Sequence, residues 1–297
     1  MKWDDKTRKE LYDLAAEVNK MDEGHARNMK IGEMQQKIDN IFPSALADKA
    51  VAVWKAGLLT SFRTHERNIL GSGINTAAEQ VSFTPAAIAD RIMSWRTKER
   101  TLVASTGEGM FKGMKQGAKL GADQIRTGID VTNSNLKYNF NHVTWGDNGG
   151  EKALKTYTEA VFRTLGAEDK IYREAARENS YINQAYTDAV NKKLKGKAFD
   201  EHVEKLVKNP TAKMKDVAEA DAGRATFTHE NRPAELIKGF KDSMRRSNKP
   251  GAKALSVALE FVFPFTQTPG GVASQLYEYS PARLVTSMAQ MLSLIHI

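Results

Sequence analysis

Four glycines stand four residues apart in the stretch GMFKGMKQGAKLG: Gly109, Gly113, Gly117 and Gly121. On an α-helix this spacing places all four on one face, with Ala118 and Ala122 beside them. Glycine costs ~1 kcal/mol relative to alanine in a helix interior, so four of them need a reason. A stripe without side chains lets another backbone approach closely, as in the small-residue pairs of membrane helices. Here Lys112, Lys115 and Lys119 interleave the glycines, so the segment cannot simply span a bilayer. Two readings follow. One is a close helix crossing in a soluble bundle. The other is a lysine-rich amphipathic helix that lies on a membrane or self-associates. The first is preferred, because the membrane pattern is rarely charged.

Helical spacing recurs along nearly the whole chain. Leu11, Leu14, Ala15 and Val18 form one stripe, and Ile31, Met34, Ile38 and Ile41 the next. Leu154, Tyr157, Val161 and Leu165 form another. Two more are Phe199, Val203, Leu206 and Val207, and then Leu236, Ile237, Phe240 and Met244. No segment sustains strand alternation between turn residues; Tyr138 to Trp145 is the best candidate for a strand-like or irregular piece. Thr84-Pro85, Asn209-Pro210, Thr268-Pro269 and Ser280-Pro281 each set a capping residue before a proline, the signature of a helix start. In FVFPFTQTPGG (residues 261–271), Pro264 then ends one helix and Pro269 opens the next, with Phe261, Phe263 and Phe265 pinning the corner to a core. The expected fold is all-α, an elongated multi-helix bundle with less than about a tenth strand. Two breaks, the Gly-rich TWGDNGGEK and the basic RRSNKPGAK, divide the chain into three expected helical regions, 1–145, 150–247 and 252–297.

The 297 residues hold no cysteine, which excludes disulfides, thiolate chemistry and zinc sites that need Cys ligands. The net charge of +8 is spread thinly rather than gathered into an arm or patch. The opening MKWDDKTRKE has no apolar segment after its charges, unlike a signal peptide. No run has the ~20 consecutive apolar residues of a membrane span. Phosphate-loop patterns fail: Gly107, Gly109 and Gly113 miss the dinucleotide spacing by one residue, and no strand precedes them. The six histidines are scattered and form no metal motif, and there is no nucleophile elbow. His65 and His229 each sit beside Glu and Arg, as surface ion-pair or capping positions do. These observations carry no catalytic residue, no metal site and no cofactor, and the tryptophans and lysines form no nucleic-acid module.

Three stretches together carry a resemblance: AVWKAGLLTSFRTHERNILGSG (52–73), LGAEDKIYREAARENSYINQAY (165–186), and TFTHENR (226–232) leading to FVFPFTQTPGGVASQLYEYSPARLV (261–285). They resemble the large polyvalent or internal virion proteins of tailed bacteriophages. The shared elements are R-T-x-x-x-N (Arg63, Thr64, Asn68), D-x-x-[FY] (Asp169, Tyr172) and a P-F-x-x-T-P corner followed by S-P (Pro264, Phe265, Thr268, Pro269, Ser280, Pro281). Gly270-Gly271 departs from the helix former that the resemblance leads one to expect, which loosens the new helix start. The resemblance implies a helical scaffold that is held inside the virion, is present in the host cytoplasm during assembly, and is delivered with the genome. Its implied partners are other virion proteins or further copies of itself, with transient contact to a membrane surface and no specific nucleic acid. Two alternatives stay open: a membrane-active ejection component, or a non-catalytic segment of a larger lytic or antirestriction enzyme. Finally, Leu292–Ile297 (LSLIHI) matches a reading frame of a transposon-end adapter, so the expectation is a metagenomic fragment cut short after Met291; the other reading is that Leu292, Leu294 and Ile295 continue the apolar face of Leu284, Val285 and Met288.

Overall fold

The helical stripes become helices. A computed structural model describes residues 4–22, 24–41, 44–105, 107–130, 143–229, 231–262, 264–278 and 280. These form α1 (Asp5–Lys20), α2 (His25–Ile41), α3 (Leu46–Leu59), α4 (Phe62–Thr97), α5 (Glu108–Thr127), α6 (Gly149–Asn191), α7 (Lys197–Lys208), α8 (Ala212–Ala225), α9 (Arg232–Arg246), α10 (Pro250–Val262) and α11 (Gln267–Glu278). No strand occurs among the described residues, and the fold is all-α. The expected irregular piece falls mostly in 131–142, outside the described residues, as do Pro281 and 292–297.

The chain packs as two compact units, residues 1–226 and 227–297. In the first, the 43-residue α6 is the hub against which α3, α4, α5, α7 and α8 pack. Its interface with α5 is the most extensive and crosses the expected division between 145 and 150. The TWGDNGGEK break is the cap of α6 rather than a linker. The Asn148 side chain accepts the Glu151 N–H at 2.8 Å, and Glu151 Oε2 accepts the Gly146 N–H at 2.5 Å, a reciprocal arrangement that satisfies donors around the helix start. Lys49 of α3 also donates to Glu151 Oε2, at 2.5 Å. In the second unit, α9 packs against α10 and α11. The expected basic linker is a short turn there, residues 247–249, between α9 and α10.

The proline signatures resolve unevenly. Pro85 lies inside α4 rather than at a start. Burial of Ser72, Asn75, Thr76 and Ser94 on one side of α4 holds this helix continuous through a residue that lacks the N–H donor. α8 is capped one residue after Pro210, by Thr211, whose side chain accepts the Met214 N–H. α10 ends at Val262, before Pro264, and Pro269 occupies the first turn of α11. Ser280 donates its hydroxyl back to the Tyr277 carbonyl at 2.6 Å, as a residue closing a helix does.

Alanines make up much of the first unit's core, Ala52 and Ala56 of α3, Ala175, Ala185 and Ala189 of α6, and Ala218, Ala222 and Ala225 of α8, beside larger residues such as Leu59, Phe162, Ile182 and Met214. Its largest fully buried side chains are mostly polar: Lys170, Glu174, Thr226, Asp169 and Ser72, with Leu165 the apolar exception. In the second unit, Leu236 and Phe240 are exposed, so that stripe is not a core face.

Candidate functional site

The glycines of α5 bring its backbone against the backbone of α6. Gly109, Gly113, Gly117 and Gly121 are all buried. A Cβ on Gly109 would lie 2.7 Å from Asn179 Cα, on Gly113 2.2 Å from Glu174 O, on Gly117 2.4 Å from Lys170 O, and on Gly121 2.9 Å from Ala167 O. Each step of four down α5 matches a step of about four back along α6, so the two helices run antiparallel in fixed register. The ladder is thereby occupied by α6, and the lysines between the glycines face outward. Lys112 reaches Glu178 at 3.0 Å, and Lys112, Lys115 and Lys119 line an open groove with His25 and Asp123.

Close packing by glycine leaves little apolar material at the centre, and α6 fills it with charge. Lys170 pairs with Asp130, Arg173 with Glu219, and Arg177 with both Glu174 and Glu219, the last at 2.8 Å. Burial is the leading influence on Glu174 and Lys170. It pushes the Glu174 carboxyl up despite Arg177 and Lys170, and pulls the Lys170 ammonium down despite Asp130. On the α8 side, Ser180 donates to Asp221 at 2.6 Å, and burial raises the Asp221 pKa against that bond and the charge of Arg224. Breaking one half of such a pair strands a charge out of water, so the network fixes register more than it adds stability.

Two elements of the resemblance meet here. Asn68, in α4, donates to Glu168 Oε2 and to Asp169 Oδ1 of α6, each at 3.2 Å, across 101 residues in the second case. His65, one turn earlier, contacts Glu168 Oε1 through Nδ1 at 2.7 Å. The Tyr172 ring lies beside Gly73, where a Cβ would find it at 3.4 Å. Thr64 sits in the first turn of α4, its hydroxyl donating to the Leu58 carbonyl at 3.3 Å, and Arg63 is exposed. Comparison with protein families, curated proteins and solved structures gives no match. The meaning of the site therefore rests on its geometry.

The second unit repeats the logic. Asn231, in the stretch THENR, caps α9 by accepting the Ala234 N–H at 2.9 Å. A Cβ on Gly270 would lie 2.2 Å from Asn231 Oδ1, and one on Gly271 2.8 Å from the Phe227 carbonyl. The Gly-Gly pair thus admits the 227–231 segment onto the start of α11 instead of loosening it. Phe261 is exposed and Pro264 and Phe265 are half-buried, so the glycines, more than the aromatics, seat the corner. Thr268 and Pro269 lie in the first turn of α11.

One further feature went unread in the sequence. Asn179, Asn183, Thr187 and Asn191 stand four apart on α6 and hold the non-helical segment that precedes α5. Asn183 accepts the Ser105 N–H at 2.7 Å, Thr187 the Val103 N–H at 3.0 Å and Asn191 the Arg100 N–H at 2.8 Å. Asn179 accepts the Ser105 hydroxyl at 3.2 Å. The four-residue spacing was available as a signal, but a polar row on a helix ordinarily faces solvent.

Among the described residues no group of three or more His, Asp or Glu is placed to hold a metal ion, and no helix is long and apolar enough to cross a membrane. His65 pairs with a carboxylate inside the network, His142 is outside the described residues, and His229 belongs to the second unit. The cavity between Thr76, Gln80, Phe83, Asn179 and Asp221, about 20 Å³, has the size of a single water. The arrangement locks helices to one another through glycine contacts, buried ion pairs and amide ladders.

Proposed function

We propose that the chain is a virion-associated helical scaffold protein of a tailed bacteriophage, present inside the particle and delivered with the genome. The observation that carries this reading is the Asn68 contact with Glu168 and Asp169, which joins two of the elements on which the resemblance stands. Short motifs that are the two halves of one contact have a structural reason to keep their order and separation. The engagement of α6's charged groups with one another supports a framework role over a catalytic one. The glycine ladder lends no support to a membrane-active helix, because its small face is taken up by α6.

The test is proteomic. Particles purified from cells in which this gene and its phage are active should yield peptides from both units, and genome ejection in vitro should deplete them from the emptied shells. Abundance in infected cells with absence from the particles refutes the proposal. Retention in emptied shells refutes delivery and leaves a fixed structural component.

A further inference from the structure

We infer that Asn148 is a site of covalent modification: its side-chain amide is lost through a cyclic imide with Gly149, which converts the cap of α6 into aspartate and isoaspartate. The inference stands apart from the virion reading and uses only the first unit.

Asn148-Gly149 is the only Asn-Gly pair in the chain. The pairing matters because the attacking nitrogen belongs to the second residue, and a side chain there would crowd the ring. Both residues are exposed. A Cβ on Gly149 would find nothing within 4 Å, so the peptide between the two has room to turn. Gly149 opens α6, and its N–H is one of the first-turn donors that no helical carbonyl reaches. Among the described residues it has no acceptor, so the nitrogen is not withheld by a hydrogen bond. Asn75, Asn179 and Asn183 differ on every count: they are buried inside α4 and α6, and the nitrogen that follows each is held in a helical ladder.

The cap prepares the electrophile. Asn148 Oδ1 accepts the Glu151 N–H at 2.8 Å, which draws electron density from Cγ, while Nδ2 donates to Glu151 Oε1 at 3.1 Å. With ψ at 155°, the backbone keeps the Gly149 nitrogen off Cγ, so the cap swings before the ring closes. Helix ends are where such local openings cost least. The Gly149 N–Cγ bond then forms as that nitrogen gives up its proton, and the Cγ–Nδ2 bond breaks with Nδ2 leaving as ammonia. Water is the one further reactant. Its attack at Cγ reopens the Gly149 N–Cγ bond and gives aspartate. Its attack at the backbone carbonyl carbon gives isoaspartate, with the chain now running through Cβ and Cγ.

The two products act differently on α6. Aspartate keeps an oxygen for the Glu151 N–H and adds negative charge at the positive end of the helix. Isoaspartate lengthens the chain at the cap and moves the acceptor out of place. Glu151 also accepts the Gly146 N–H and the Lys49 ammonium of α3, each at 2.5 Å, so loss of its Asn148 partner loosens the seat of α3 on α6.

The experiment incubates the full folded chain at mildly alkaline pH and maps its peptides by mass spectrometry. Asn148 should convert to the acid, with isoaspartate among the products as read by enzymatic carboxyl methylation, while Asn75, Asn179 and Asn183 stay intact. Conversion spread evenly over these four overturns the inference. Gly149→Ala, whose Cβ has open space, should lose the conversion with helicity unchanged by circular dichroism; a variant that converts as fast as the parent overturns the imide route. Incubation in urea supplies the behaviour of the unfolded chain. An Asn148 that converts there but stays intact in the folded chain means that the cap protects it, and overturns the inference, as does an Asn148 that stays intact in both.

Discussion

Gly113→Ala is the sharpest probe of the α5–α6 contact, because local and tertiary physics predict opposite signs. In an open helix the change stabilises by ~1 kcal/mol, since alanine restricts the unfolded chain and favours the helix. At Gly113 the new Cβ would meet Glu174 O at 2.2 Å, Glu174 C at 2.6 Å and Ala175 Cα at 2.7 Å. All three are backbone atoms of α6, so no side chain can swing away. Relief requires the helices to part by about 1 Å, and a gap of that size forfeits roughly a quarter to a half of the dispersion energy of the contacts it opens. Overpacking of this kind costs ~1–3 kcal/mol, sometimes more. After the propensity gain, a net loss of about 2 kcal/mol is expected, or a urea midpoint lower by about 0.5–1 M. All four tryptophans, at 3, 54, 95 and 145, belong to the first unit, so their fluorescence follows its unfolding alone. Gly57→Ala is the control. It lies in α3 with nothing within 4 Å of its Cβ and should stabilise by about 0.5–1 kcal/mol. The severity should fall in the order Gly113, Gly117, Gly109, Gly121, following distances of 2.2, 2.4, 2.7 and 2.9 Å. A Gly113→Ala protein as stable as the parent, or shifted in the same direction as Gly57→Ala, refutes the close approach.

Three other outcomes are expected. Burial alone would raise the Asp90 pKa, but donors from Thr101, Arg100 and Leu102 hold it at about 2 against an ordinary 3.8; its contribution is present above pH 3.8 and lost as pH falls through about 2, so melting curves of Asp90→Asn and parent should converge across that window. Asp221 is shifted the other way, so its ionisation weakens the fold as pH rises above 3.8; Asp221→Asn should be the more stable protein at pH 7, with the advantage gone below pH 3.8, as read from melting curves at the two pH values. Glu219→Ala leaves Arg173, which is 4% exposed, and Arg177 without their shared carboxylate; because the Glu219 side chain is itself 45% exposed, the expected loss is roughly 2 kcal/mol rather than the ~3–5 of a fully buried pair, read by urea unfolding.

The helical class was legible because amphipathic spacing is local: Leu11, Leu14 and Val18 of α1 are buried as their stripe requires, and in the α6 stripe Val161 and Leu165 are buried while Leu154 and Tyr157 are exposed. The glycine ladder announced a close partner but not which one. The facing positions on α6, at Ala167, Ile171, Ala175 and Asn179, mix small and large residues because the glycines meet mainly their backbone, the Ala167 Cβ excepted. Pro85 misled because its cost is set against the tertiary burial of α4's inner face, a term absent from any local rule. The charged centre was hidden for a similar reason. EDK and REAARE are charged, as solvated helical faces are, and the partners supplied from Asn68, Asp130 and Glu219 take them into the interior.

The pairings in the two units share a cause. Asn68 meets Asp169, and Asn231 meets Gly270, each pair separated in sequence by intervening helices. A long helix buries its apolar face against almost any other, so apolar packing alone leaves sliding by one turn nearly neutral. A backbone seated on glycine, or an amide held by a carboxylate, does not survive such a slide: the Cβ of a neighbouring residue, or an unpaired buried polar group, appears in its place. Gly270 and Gly271 illustrate this. Read along the chain they are two poor helix formers at a helix start, worth ~1 kcal/mol each against order. Read in space they are the positions of α11 where Asn231 Oδ1 and the Phe227 carbonyl come too close for any side chain, so they select one register of α11 against the 227–231 segment.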